Sequence, residues 1–299
     1  MSDPRETISV CIVAQDNEDI IRQCLDSCTW ADEILVVDGG SSDATPDIAR
    51  DEYGATVYTR PYDYSWHQYN YITARAETDW VFVLDTDEVI SPELADEIQA
   101  LLAGSPEHDA YQVSRRLMDH GRWLRCCGTW PNYCVRLFRP GKFVYKLERV
   151  HAGGMPKGPY GRLQNSILHY SFTDLGHHLR RMDRLTKEAA LKAYENGKRP
   201  GWWYLFVRFG FTFWREFLLR GGIREGVPGL MYAVVRATEV FTKYAKVWEL
   251  HDGTSGIDLE AEMEKKRRAD RDILSDPQQP PLLTENTRFP DPEDDDEAP

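Results

Sequence analysis

Three short apolar runs constrain this chain most: Ile8 to Ala14 (ISVCIVA), Glu33 to Asp38 (EILVVD) and Trp80 to Leu84 (WVFVL). Each is rich in β-branched residues, and the segments between them space their apolar residues as helices do. Buried strands alternating with helices predict an α/β chain built on a mostly parallel, Rossmann-like sheet. The first run leads through polar Gln15 to Asp19 into a helix. The second ends in Gly39 and Gly40, which permit a tight turn, and Asp85-Thr86-Asp87 stops the third. Asp38 and Asp85 therefore arrive at the carboxyl edge of the sheet, where open α/β sheets bind ligands.

Charge divides the chain further. Residues 1–110 carry 24 acidic against 5 basic side chains, residues 111–251 carry 10 against 25, and residues 252–299 carry 15 against 6. An acidic first segment excludes nucleic acid as a partner of the whole chain, while the basic middle suits an anionic one. From residue 111 the strands shorten and Arg and Trp become frequent; from 176 the pattern is helical. The expected organisation is a ligand-binding α/β half over 1–110, a second half over 111–175 and a helical region over 176–251. Residues 252–299 read as a charged, largely disordered and dispensable acidic tail that follows a helix near Leu259 to Ile273. Six cysteines lack paired zinc-site spacing and are expected as buried thiols. The first residues hold no apolar signal segment and no apolar run is long enough to span a bilayer, which predicts a cytoplasmic protein.

The Asp85-Thr86-Asp87 segment carries the chemistry. Two hard carboxylates one residue apart after a buried strand suit Mg²⁺ or Mn²⁺ with positions left for diphosphate oxygens. Asp38, at a strand end beside two glycines, suits ribose hydroxyls or a base N–H. Rings interleaved with guanidinium groups, around Arg122 to Arg125, Trp130-Pro131 and Arg136 to Arg139, fit an acceptor face, with Trp130 stacking on sugar and Arg136 gripping an anion; core packing fits them equally.

The runs SVCIVAQDNEDIIRQCLDSC, EILVVDGGSSDAT and WVFVLDTDEVIS together resemble the family 2 glycosyltransferases, which have a GT-A fold, over residues 8 to 250. VRLFRPGKF, VHAGG with GPYGRLQNSILHYSF, and FTKYAKVWEL are similar to the bacterial group that includes lipopolysaccharide core β-glucosyltransferases. The resemblance implies a nucleotide-sugar donor, a UDP-sugar first, a divalent cation, and inverting transfer of a hexose to a cell-envelope saccharide or lipid-linked acceptor. It places the nucleotide against Ala14, Asp16, Glu18 and Asp38, Asp85 on ribose or metal, Asp87 on the metal, and Gln68 and Asn70 along the donor pocket. It also implies a general-base Glu directly after the His of the VHA segment. Ala152 stands there instead, so Glu148 and His151 are the nearest substitutes, although a shift of three residues along a strand changes faces. His169 matches the family pattern, but at a strand end it reads first as structural. A nucleotidyltransferase and a non-catalytic sugar-nucleotide or glycan binder are the competing functions; the first lacks its basic, glycine-rich loop between Ile12 and Asp19, and the second is favoured by Ala152.

Trp202 to Leu219 (WWYLFVRFGFTFWREFLL) admits two readings. It is either core, or a helix in the membrane interface whose basic flanks attract anionic lipid and hold the protein at the inner face of the cytoplasmic membrane.

Overall fold

The computed structural model describes residues 5–119, 121–145, 154–172 and 175–278. One nine-stranded sheet runs through both halves. Its first half contains β1 (Ile8–Ala14), α1 (Ile21–Asp26), β2 (Glu33–Asp38) and a short α2 (Thr45–Asp47) that continues as a π-turn. These are followed by β3 (Thr56–Thr59), α3 (Ser65–Thr73), β4 (Trp80–Asp85), β5 (Glu88–Ile90) and α4 (Pro92–Leu102). The second half adds β6 (Ala110–Asp119), β7 (Arg122–Trp123), β8 (Tyr133–Phe138), β9 (Phe143–Tyr145), β10 (Gly154–Pro156) and β11 (Gly161–Phe172). Four helices follow: α5 (Leu175–Glu195), α6 (Trp202–Trp214), α7 (Val227–Asp252) and α8 (Leu259–Leu274).

The strand order is β3-β2-β1-β4-β8-β6-β11-β5, with β7 folded back on β6 and β9 paired separately with β10. β1 to β4 are parallel, β8 joins β4 and β6 by antiparallel ladders, β11 runs parallel to β6, and β5 pairs antiparallel with β11. The α/β expectation is met, and the reason lies in burial. β1, β2 and β4 are covered on both faces, so continuous apolar runs outcompete alternating ones. Ile8, Ile12, Leu35, Trp80, Phe82 and Leu84 are fully buried there. Ser91 caps α4 by accepting from the Leu94 amide, and Pro92 sits at its first turn.

Two expectations change. Residues 252–278 are not all free tail: α8 forms where a helix was predicted, and it docks on α3, burying Ala269 and Ile273. Its charges find partners far back in the chain. Asp270 accepts from His67 at 3.0 Å and Asp276 from Arg75 at 2.9 Å. Composition alone averages such matches away. Between α8 and the loop after β3 lies a cavity of about 580 Å³ bordered by Arg60, Asp63, Lys265 and Arg268. The acidic run 293–297 lies outside the described residues.

The second change concerns α6, which does not bury its rings. Trp202 is 77% exposed, Phe206 66% and Leu219, in the π-turn Arg215–Leu219 that continues the helix, 79%. The core alternative therefore fails for this face. α6 packs against α7 through Tyr204 on Tyr244 and Phe209 on Phe241.

Candidate donor and cation site

Register brings the acids together. Ala14 of β1 pairs with Asp38 of β2, and Val13 pairs with Asp85 of β4, so both acidic strand ends flank the end of β1. With neighbouring strands about 4.8 Å apart, the backbones of the two strand ends stand about 10 Å from each other across one edge, and because Val13 and Ala14 face opposite ways the two side chains leave on opposite faces.

The loops that leave β1 and β2 are stitched to one another by the acids assigned to the nucleotide. Asp16, held at φ +50°, accepts from the Ser42 amide at 2.8 Å and its hydroxyl at 3.0 Å. Glu18 Oε2 accepts from the Ala44 amide at 3.0 Å. Buried Asp38 gathers the amides of Gly40 and Ser41 and the Ser41 hydroxyl. Gly39 is required by close approach, because a Cβ there would lie 3.0 Å from Tyr62 Cβ and 3.1 Å from Gln15 Cβ. These carboxylates thus shape the rim of the site, with the chain reversing around Asp38.

Gln68 and Asn70 do not line a pocket. Gln68 is 0% exposed and donates to the carbonyls of Arg60 and Pro61, fixing the loop after β3. Asn70 is equally interior; its amide donates to the Tyr145 carbonyl and accepts from the Tyr145 amide, both at 2.9 Å. Both point inward because α3 packs its Gln-Tyr-Asn turn against the sheet and β9. An amide clasping a strand backbone in both directions, and buried there, is turned away from a nucleotide-sugar.

Asp85 and Asp87 have different surroundings. Asp85 is gripped from two sides: the Tyr69 hydroxyl donates to one oxygen and Arg136 Nη2 to the other at 3.0 Å. Burial and the Asp85 carboxylate raise the Tyr69 pKa, which keeps the phenol protonated as a donor. Arg136 also donates to Glu88 at 2.7 Å, and Glu88 accepts from the Asp85 amide at 3.1 Å. Burial opposes the guanidinium charge, but Glu88 and Asp85 outweigh it. The acceptor role expected of Arg136 is corrected accordingly. The side chain is turned into the protein and is spent on two carboxylates, so it positions Asp85.

Asp87 instead faces His169, whose Nε2 lies 3.3 Å from Asp87 Oδ2. The contact follows from strand pairing, since His169 of β11 sits opposite Glu88 of β5, one residue after Asp87. Two ligands held about 2.1 Å from one octahedral cation at a right angle are about 3 Å apart, so this pair fits a shared divalent ion. Among the described residues no group of three or more His, Cys, Asp or Glu side chains forms a metal cluster. Two protein ligands suit a cation that keeps waters and substrate phosphates, as Mg²⁺ does. The sequence reads His169 first as structural, and the structure sets it beside Asp87; the signal available for that contact was its place in the YGRLQNSILHYSF segment.

On the other side of the sheet edge Trp130 is half-buried and meets Trp123 edge to face, centroids 5.0 Å apart. Arg116 lies 4.6 Å and Arg125 4.2 Å from the Trp123 ring. This shelf of rings and guanidinium groups can stack on a sugar and meet an anion. Glu148 and His151 lie outside the described residues.

Residues 9–125 match the family model described as Glycosyl transferase family 2. The chain is similar to the lipopolysaccharide core biosynthesis glycosyltransferase LpsC of Rhizobium meliloti, 27% identical over 256 residues that cover 83% of this chain and 94% of that protein. It is also similar to the uncharacterized glycosyltransferase RT0209 of Rickettsia typhi, 25% identical over 286 residues, 88% of this chain and 97% of that one. Among solved structures it resembles S. aureus TarS 1-349 in complex with UDP-GlcNAc, with TM-score 0.44, 14% identity, and coverage of 83% and 92% of the two chains. The mannosyltransferase PcManGT from Pyrobaculum calidifontis, in complex with GDP-Man and Mn²⁺, aligns with TM-score 0.41 and 16% identity over 93% and 84% of the chains.

Proposed function

We propose that this chain, whose residues 9–125 form a family 2 glycosyltransferase domain, transfers a hexose from a nucleotide-sugar to a cell-envelope saccharide, free or lipid-linked, with inversion at the anomeric carbon. It is a glycosyltransferase with the GT-A plan of a parallel nucleotide half joined to a mixed acceptor half. A UDP-sugar is the donor we assign first. The observation that carries the finer reading is the Asp87 and His169 pair, standing beside Asp85 on the edge that also holds Asp38.

In inverting transfer the acceptor hydroxyl attacks the anomeric carbon as the bond from that carbon to the diphosphate oxygen breaks. Asp87 and His169 would hold Mg²⁺ or Mn²⁺, which would supply neutralisation of the departing diphosphate. Asp85, fixed by Tyr69 and Arg136, would face the ribose or the cation. The braced loops at Asp16, Glu18 and Asp38 offer a rim formed before the donor arrives, which lowers the ordering cost of binding. Trp130 with Trp123 takes the acceptor sugar. For the acceptor proton we assign the segment that holds Glu148 and His151, which replaces the Glu absent at Ala152.

The test is turnover of a panel of nucleotide-sugars by the full chain, read as nucleoside diphosphate release with Mn²⁺, with Mg²⁺ and with chelator. Cation-dependent release from one donor, with inverted product stereochemistry, is expected. Release unaffected by chelator would overturn the cation assignment, and donor binding without any release would leave a sugar-nucleotide binder. Glu148→Gln and His151→Ala separate the two base candidates, since only loss of the true base abolishes turnover while sparing donor binding.

A further inference from the structure

The outward face of α6 inverts the usual pattern of a surface helix. Its exposed positions, Trp203, Phe206, Val207, Phe211 and Trp214, recur at three- and four-residue spacing and form one stripe. Thr212 is buried instead, and so is Glu216 in the π-turn, where it accepts from Arg215 at 3.0 Å and Arg220 at 3.1 Å. Polar groups lie inside and rings outside. Ile223 after the π-turn, and Val227, Leu230 and Val234 of α7, the helix packed against α6, are exposed as well. An exposed apolar stripe of this kind marks an interaction site.

Charge says what covers it. Residues 198–224 hold six basic side chains and one acidic one, in a chain of net charge −13. Lys198 and Arg199 before α6, and Arg224 at its far end, are exposed, and no carboxylate pairs with them among the described residues. A second copy of the chain placed on this face would bring those cations against each other. An anionic bilayer would neutralise them and accept the rings at headgroup depth, where Trp is favoured. Among the described residues no helix is long and apolar enough to cross a membrane.

We infer that the α6–α7 face is a monotopic membrane-docking surface that lies in the interface of an anionic bilayer. The same hairpin is fastened to the acceptor shelf. The Cys127 amide donates to the Arg220 carbonyl at 2.8 Å, and the Arg125 amide to Glu225 at 3.3 Å. Docking therefore brings the Trp123 and Trp130 shelf toward the lipid surface. The lipid-linked acceptor rests on the transferase reading, whereas the docking itself does not.

Flotation of the full chain with phosphatidylcholine vesicles, with and without phosphatidylglycerol, tests it in the absence of donor and acceptor. Binding to the anionic vesicles with a blue shift of tryptophan emission is expected, weakened but not abolished by salt. Lys198→Ser with Arg199→Ser weakens it about 25-fold, at about fivefold per basic residue. Trp203→Ser with Phe206→Ser removes the salt-resistant part while the circular-dichroism spectrum keeps the native fold, although Phe206 gives up its edge contact with Phe241 of α7. No binding to any vesicle overturns the inference. So does a dimer in light scattering that the ring substitutions convert to monomer, because a second copy then covers the face. A transferase assay that fails while vesicles still bind refutes only the proposed reaction.

Discussion

Replacing Asp270 by Asn tests whether α8 is held by a charged histidine. Both ring nitrogens of His67 face carboxylate oxygens, Nδ1 with Asp63 at 2.9 Å and Nε2 with Asp270 at 3.0 Å. Two acceptors require two donors, so the ring is an imidazolium. Burial works against that charge, but the hydrogen bonds to Asp270 and Asp63 outweigh it and lift the pKa above the ordinary 6.5. For Asp270 burial acts upward, and the bonds from His67 and Lys266 pull it below its ordinary 3.8. Asp270→Asn keeps the shape and removes one charge-assisted bond to a side chain that is 0% exposed. Leaving such a group poorly paired costs about 1–3 kcal/mol. A central loss of about 2 kcal/mol lowers the Tm of a chain this size by about 3 °C. The pH dependence has a definite sign. A pKa raised on folding stabilises fully below 6.5 and ceases to do so as pH rises through the folded value, and a lowered carboxylate pKa stabilises above 3.8 and is lost below its folded value. The Tm gap between the native chain and Asp270→Asn is therefore widest between 3.8 and 6.5 and narrows as pH rises through the folded His67 value, down to the part that the Lys266 pair with Asp270 supplies. Calorimetry across that range decides it, and a gap independent of pH would refute the imidazolium.

Three further outcomes are expected. His169→Ala and Asp87→Asn each weaken Mn²⁺ affinity by at least the ~10–100-fold that losing an outer-shell partner costs, with the fold intact by circular dichroism; unchanged affinity in either, measured by calorimetric titration, removes that residue from the ligand set. Arg136→Met strands Glu88 and Asp85 and destabilises by about 3–5 kcal/mol in urea unfolding, and a loss under about 1 kcal/mol would mean that the two acids repartner. Asn70→Ala, which leaves the Tyr145 backbone unpaired, costs about 2 kcal/mol in the same assay, against no loss if water enters to replace the amide.

The strands of the nucleotide half were legible because their apolar runs are covered on both faces, and the acids that end them fall at the sheet edge by register. Asp85 and Asp87 could be placed there from spacing, but their different tasks could not. What divides them is Arg136, 51 residues beyond Asp85, and His169, 82 beyond Asp87, and neither distance leaves a local mark. Gln68 and Asn70 looked like pocket residues because polar side chains before an acidic strand end suit a ligand. They turn inward because backbone carbonyls of the loop after β3 and of β9 need donors. For Trp202 to Leu219 the sequence showed rings and few charges. Only the fold shows that Thr212 and Glu216 take the inner face.

The docking of α8 also bears on how the chain is made. Its ties to α3 and to Arg75 close loops of 203 and 201 residues. At synthesis rates of about 5–20 residues per second, the parallel half waits on the order of 10–40 seconds after its own strands have emerged before Asp270 reaches His67. During that interval the imidazole has Asp63 alone, and the surface that Ala269 and Ile273 later cover is open. Contacts this remote form late, after local ones have made the loop worth closing. The nascent first half is therefore the form most in need of a holdase, and α8 is the element whose arrival ends that need.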